Sequence, residues 1–163
     1  MDNKLGIYDR NLLKDIEYKL TSMKYSLLDG NFTFNEETIF SISYLEKLHI
    51  FLFRDLYPLS QCKIREDVSK ETIDRLNETM EKMRFVGEMS TSKLADLIYD
   101  VWKEQIFFDG NTRTIKAFLK VYKEGYNLNL NNDFTSSFTK DKDFFIDEII
   151  DEITENATAT FKK

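Results

Sequence analysis

The stretch Gln105-Ile-Phe-Phe-Asp-Gly-Asn-Thr-Arg113 joins two segments of helical periodicity. Gly110 permits a backbone turn that other residues resist. Asn111, Thr112 and Arg113 then offer free amide donors at the start of a helix, and with the helix dipole these make an anion site. Arg113 adds a two-pronged fork for phosphate oxygens. Asp109 is placed to hold a Mg²⁺ that bridges phosphates, since Mg²⁺ usually takes only one or two protein carboxylates. The same residues also read as a plain turn followed by a solvated arginine, and spacing alone leaves both readings open.

Periodicity outside this loop is mostly helical. Asp9 is placed to cap a helix with apolar residues at Leu12, Leu13, Ile16, Leu20, Met23 and Leu27, stopped by Asp29-Gly30-Asn31. Asn35 is placed to cap a second, through Phe40, Leu45, Leu48, Leu52 and Leu56, with Pro58 just past its end. Ser69 caps a third, with Ile73, Leu76, Met80 and Met83. A fourth runs from about Ser92 through Leu94, Leu97, Ile98 and Val101 toward Ile106. A fifth starts near Asn111 and ends at Gly125. Residues 142–156 form a strongly amphipathic pattern with Phe145, Ile146, Ile149, Ile150 and Ile153 in one stripe. Only Lys63–Val68 alternates as a short extended element would. The expectation is an all-α fold with a small β-hairpin, in one domain spanning 1–163.

Composition narrows the function. The 163 residues carry a net charge of −6, against a nucleic-acid binder that works through a broad basic face. No apolar run is long enough for a transmembrane helix, so no membrane role is expected. The N-terminus carries charges where a signal peptide would be apolar. One cysteine, Cys62, excludes an internal disulfide and suits a reducing compartment, so the cytoplasm is the expected location. Cys62 has no base signature nearby and reads as a packing residue. His49, the only histidine, lies on an apolar helix and reads as a hydrogen-bonded structural residue. Trp102 and the Phe-rich stripes read as core.

The loop resembles the signature of the Fic (filamentation induced by cAMP) family, His-x-Phe-x-(Asp/Glu)-Gly-Asn-x-Arg, through Phe107, Asp109, Gly110, Asn111 and Arg113. The resemblance continues in order along the chain. Asn3-Lys-Leu-Gly-Ile7 is similar to the entry to the family's first helix. Leu48-His49-x-x-Leu52-Phe53-x-x-x-Tyr57 is similar to its Ile-His-x-x-Leu-Phe-x-x-x-Tyr block, placing a histidine away from the catalytic loop. Lys63, Ile64 and Arg65 resemble the entry to its target-docking flap hairpin, and Gly125-Tyr126 matches a pair that follows the next helix. These pieces cover most of residues 3–126.

The resemblance implies a Fic-type helical bundle that transfers AMP from ATP, with Mg²⁺, to a Ser, Thr or Tyr hydroxyl of a target protein. Asp109 would hold Mg²⁺, Gly110 and Asn111 would line the anion hole, and Arg113 would bind the outer phosphates. Four departures bear on this. Gln105 stands at the position of the family's general-base His, and an amide cannot take the hydroxyl proton at useful pH; losing a general base costs ~10²–10⁴ in rate. Thr112 replaces a glycine, and its side chain would crowd the phosphates. Lys116 replaces a second Arg, keeping the charge but losing the fork. The Ala-Gly before the flap aligns only loosely with Gln61-Cys62. Asp151-Glu-Ile-Thr-Glu155-Asn156 resembles an inhibitory-helix pattern in which Glu155 would pair with Lys116; the same residues also read as a solvated acidic face. Three readings stand: a transferase with impaired catalysis, a nucleotide-binding pseudoenzyme that regulates a partner by holding it, and an interaction protein without nucleotide binding. Retention of Asp109, Gly110, Asn111 and Arg113 favours the first two.

Overall fold

In the computed structural model, residues 3–28, 35, 37–88 and 91–126 are described. They form α1 (Arg10–Ser26), α2 (Ile42–Phe53), a single turn α3 (Leu59–Cys62), α4 (Lys70–Lys82), a 3₁₀ segment (Met83–Glu88), α5 (Thr91–Trp102) and α6 (Asn111–Tyr126). The helical expectation for the fold is met. No helix among the described residues is long and apolar enough to cross a membrane.

Local chemistry sets the helix starts. The Asp9 carboxylate accepts from the amides of Asn11 and Leu12, and the Ser69 hydroxyl accepts from Thr72. Ahead of α1, Gly6 takes a positive φ while the Asn3 side chain bonds the amides of Leu5 and Ile7. The second helix begins later than expected. The backbone after Asn35 makes only a turn, with Thr38 and Ile39 donating back to the Asn35 carbonyl. The cap is instead the Ser41 hydroxyl, which accepts from Tyr44, while Asn77 of α4 accepts from the Ile42 amide. At the far end of α6, Gly125 continues the helix rather than stopping it, because Tyr126 is buried among Phe40 and Tyr122.

The expected flap hairpin at Lys63, Ile64 and Arg65 is not formed; no strand occurs among the described residues. The segment's donors go elsewhere. The Ile64 amide bonds the Glu46 carboxylate, the Arg65 amide bonds the Ile106 carbonyl, and Val68 turns back onto Arg65 immediately before the Ser69 cap. Too few residues remain between these ties for two paired strands.

Helix α2 is the centre. Ile42, Leu45, Leu48, Phe51, Leu52 and Phe53 are all buried, and α1, α3, α4 and α6 pack against it. Residues 127–163, including the amphipathic pattern at 142–156 and Glu155, lie outside the described residues.

Candidate functional site

The 105–113 loop follows the C-terminus of α5, and Gln105 makes that end. Its φ of +47° is the left-handed region, costly for a residue with a Cβ. The Gln105 backbone amide and side-chain amide both donate to the Trp102 carbonyl, closing the helix. Its side-chain oxygen accepts from Asn111 at 3.2 Å. The residue at the general-base position is thus a helix cap, and both ends of its amide are used.

Asn111 braces the loop from the other side. Its oxygen accepts from the Phe107 amide, and its nitrogen donates to the Phe107 carbonyl. The contribution of Asn111 to an anion hole therefore falls to its backbone N–H. The Thr112 side chain, expected to crowd phosphates, is tied back to α5: its hydroxyl accepts from the Trp102 indole at 3.0 Å. Gly110, at φ +77°, lies against Phe53 so closely that a Cβ there would come within 2.4 Å of the ring. One oxygen of Asp109 accepts from the Gly110 amide at 2.7 Å.

Helix α6 then opens with the Thr114 amide as its first intrahelical donor to this turn, bonding the Gly110 carbonyl. The amides of Asn111, Thr112 and Arg113 have no acceptor among the described residues. Three N–H groups at a helix N-terminus, next to a backbone that only glycine can bring so near the core, are unspent donors of the kind an anion uses.

His49 holds the loop from beneath. Its ring lies parallel to Phe107, with centroids 4.0 Å apart, and Nδ1 and Nε2 face the carbonyls of Cys62 and Asp109 at 2.7 and 2.8 Å. It was expected away from the loop; it is structural, as expected, but directly against the loop backbone. Burial holds its pKa below the usual value, outweighing the two carbonyls that favour the cation. A neutral imidazole has one N–H, so it donates to one carbonyl at a time. Burial pushes the Cys62 thiol up, which fits a packing role rather than a nucleophile.

Arg65 ties the loop from above, with Nε on the Gln105 carbonyl at 2.9 Å and Nη2 on the Glu104 carbonyl at 3.4 Å. Ile64 is half-buried and Lys63 exposed beside it. This segment therefore braces the loop rather than presenting a free strand edge.

Arg113 does not stand free. Its guanidinium bonds the Glu17 carboxylate of α1 at 2.5 Å, reaches the Thr21 hydroxyl at 3.5 Å and lies over the Phe53 ring. Tyr57 donates to the other Glu17 oxygen. Glu17 was not singled out in the sequence; the available signal was an acidic residue on the face of α1 that also carries Leu13, Leu20 and Lys24. Between α1 and α6 lies a cavity of about 190 Å³ lined by Tyr18, Thr21, Ser22, Tyr25, Leu52, Arg113 and Lys116. Lys116 is thus brought to the same side as Arg113, one turn on. No cluster of three or more metal-ligating side chains occurs among the described residues, so Asp109 alone would offer a cation a single carboxylate.

No family model and no curated protein matches the sequence. Among solved structures, the chain is similar to BepC, a VirB-translocated effector protein of Bartonella tribocorum determined with bound AMPPNP. The TM-score is 0.68 at 16% identity, covering 99% of this chain and 93% of that one. BepC is a Fic-domain effector, so the fold of this chain is Fic-like.

Proposed function

We propose that this protein binds ATP with Mg²⁺ at the N-terminus of α6. The observation that carries this reading is the trio of unpartnered amides at Asn111, Thr112 and Arg113, set beside Gly110 at a φ that favours glycine. The AMPPNP bound by a structure of the same fold supports ATP as the nucleotide. The α-phosphate end would sit on the amides, with outer phosphates toward Arg113 and Lys116. Asp109 fits a Mg²⁺ held mainly by phosphate oxygens and water, because a single carboxylate is the usual protein contribution there. When bound, that ion supplies charge neutralisation for the phosphates.

By fold and loop chemistry the inherited reaction is AMP transfer to a Ser, Thr or Tyr hydroxyl of a target protein. The chain's own contribution to the proton step is weak. Gln105 spends its amide on capping α5, and the one histidine lies buried against two carbonyls. This favours a nucleotide-binding protein with impaired transfer, or a pseudoenzyme that regulates a partner by holding it. Incubation with labelled ATP, Mg²⁺ and candidate targets separates the two: label on a target marks a transferase, and ATP binding without label marks the regulator. Absence of ATP binding refutes both.

A further inference from the structure

We propose that the outer flank of α1 is a self-association surface, on which a second copy of this chain lays its own α1 antiparallel across a twofold axis. The surface lies away from the nucleotide site proposed above and does not depend on it.

Exposed apolar residues are unevenly spread. Six of the nine large ones among the described residues, Leu5, Tyr8, Leu12, Tyr18, Met23 and Leu27, lie on α1 or beside its ends. Single exposed apolar side chains are ordinary, whereas a set gathered on one flank marks an interaction site. At the helical repeat, Leu12, Ile16, Met23 and Leu27 share one stripe, edged by Lys19. Leu12 and Met23 are each about half exposed, and Ile16 is half-buried. The core takes a different face of the helix, through Glu17, Thr21 and Lys24. The cavity residues Tyr18, Ser22 and Tyr25 follow on the far side of that core face, on the flank opposite the stripe.

Spacing and charge select the occupant. Leu12, Ile16, Lys19 and Met23 follow at intervals of four, three and four, so the stripe reads the same when the helix is turned end over end. An antiparallel pairing about a twofold axis sets Leu12 against the partner's Met23, and Ile16 against the stem of the partner's Lys19. Asp15 and Lys19 lie along the same edge of the stripe, both exposed, and neither has an ion-pair partner among the described residues. In an antiparallel pair each edge meets its own copy, so Asp15 comes beside the partner's Lys19, twice. A parallel pair sets that edge against the opposite one and makes neither contact. Edge charges of this kind set the orientation of paired helices. One helix pair is a small surface, at the low end of specific interfaces, below about 1,200 Å² in total. The dimer is therefore weak and concentration-dependent, with both ligand cavities left open on its outer sides.

The test is sedimentation velocity on the full chain from about 1 μM to about 1 mM, a range that brackets a weak dimer. The parent protein is compared with Met23→Lys, Asp15→Lys and Lys19→Asp, and a melting curve on each checks that the fold is retained. The parent should form dimers as concentration rises, and Met23→Lys should stay monomeric. Asp15→Lys and Lys19→Asp should each dimerise about tenfold more weakly, as for two exposed charge pairs turned from attraction to repulsion. Mixed one to one, these two variants should regain the parent's affinity, because two lysines of one chain then face two aspartates of the other. A parent that is monomeric throughout overturns the inference; a large fall in the melting temperature of Met23→Lys would then show that another part of the same chain covers the stripe. Dimers that persist in Met23→Lys place the interface elsewhere and overturn it too. A mixture no tighter than its components overturns the antiparallel pairing.

Discussion

Glu17 of α1 and Arg113 of α6 meet across the gap between their helices, with Oε1 to Nη2 at 2.5 Å. The Glu17 side chain is 10% exposed and the Arg113 side chain 33%. Arg113 carries the one guanidinium of the loop, and in this arrangement a carboxylate occupies it. A phosphate bound there under the proposed function would either displace Glu17 or sit beside a neutralised arginine.

Replacing Glu17 with Gln therefore has two opposed effects. Phosphate and ATP should bind about 3–10-fold more tightly, the value of an ordinary hydrogen bond and less than that of a buried charge-assisted one because Arg113 is partly solvated. Stability should fall by about 1–2 kcal/mol, less than for a fully buried pair because Arg113 is partly solvated. Titration and urea denaturation measure the two separately. Unchanged anion affinity would mean that Arg113 is a structural residue.

Gly110→Ala should be severe. The alanine would have to adopt φ +77° and place its Cβ 2.4 Å from Phe53. Left-handed strain and overpacking together cost about 2–4 kcal/mol. Adding Phe53→Leu should recover the packing part and leave the backbone part, so the double variant should unfold at a urea concentration between the single variant and the parent. No recovery would place the cost entirely in the backbone.

His49 should make stability pH-dependent in a window of its own. Burial lowers its folded pKa below the ordinary 6.5. The unfolded chain therefore binds a proton that the fold resists, so its contribution is full above pH 6.5 and is lost as pH falls below it. The carboxylates held low by cation partners, Asp55 and Glu81, titrate in a more acidic range. Urea denaturation at pH 7.5 and 5.5 should show lower stability at 5.5, and His49→Gln should flatten the difference. Greater stability at pH 5.5 would mean that the two facing carbonyls hold His49 as the cation.

Gln105→His should raise AMP transfer by up to ~10²–10⁴-fold if only the base is missing. It also removes the side-chain cap on Trp102 and the bond from Asn111, at roughly 0.5–1.5 kcal/mol for each hydrogen bond. Label transfer and melting temperature should therefore move in opposite directions. Silence in both proteins would shift the fault to Thr112, held by the Trp102 indole.

The helical architecture was legible because the apolar spacing and the caps agree: Asp9 and Ser69 cap where their sequences imply. Asn35 misled because a capping side chain signals a turn as readily as a helix, and Ser41 competed for the same role. The hairpin misread came from Lys63–Val68, whose alternation is real but whose amides are claimed by Glu46 and Ile106. Loop residues could be named from the sequence, and their partners could not. Glu17 and Arg113 are joined across nearly a hundred residues, and local pattern carries no record of that. The capping role of Gln105 was hidden for a similar reason, since it depends on a positive φ that a glutamine does not advertise.

The amides at the start of α6 offer the most direct test of nucleotide binding. Amide proton–nitrogen NMR spectra of the labelled protein, recorded while ATP–Mg²⁺ is added, should show the largest shifts at Asn111, Thr112 and Arg113. Asp109→Ala should weaken that response. Shifts centred elsewhere, or no shifts at millimolar ATP, would contradict the account.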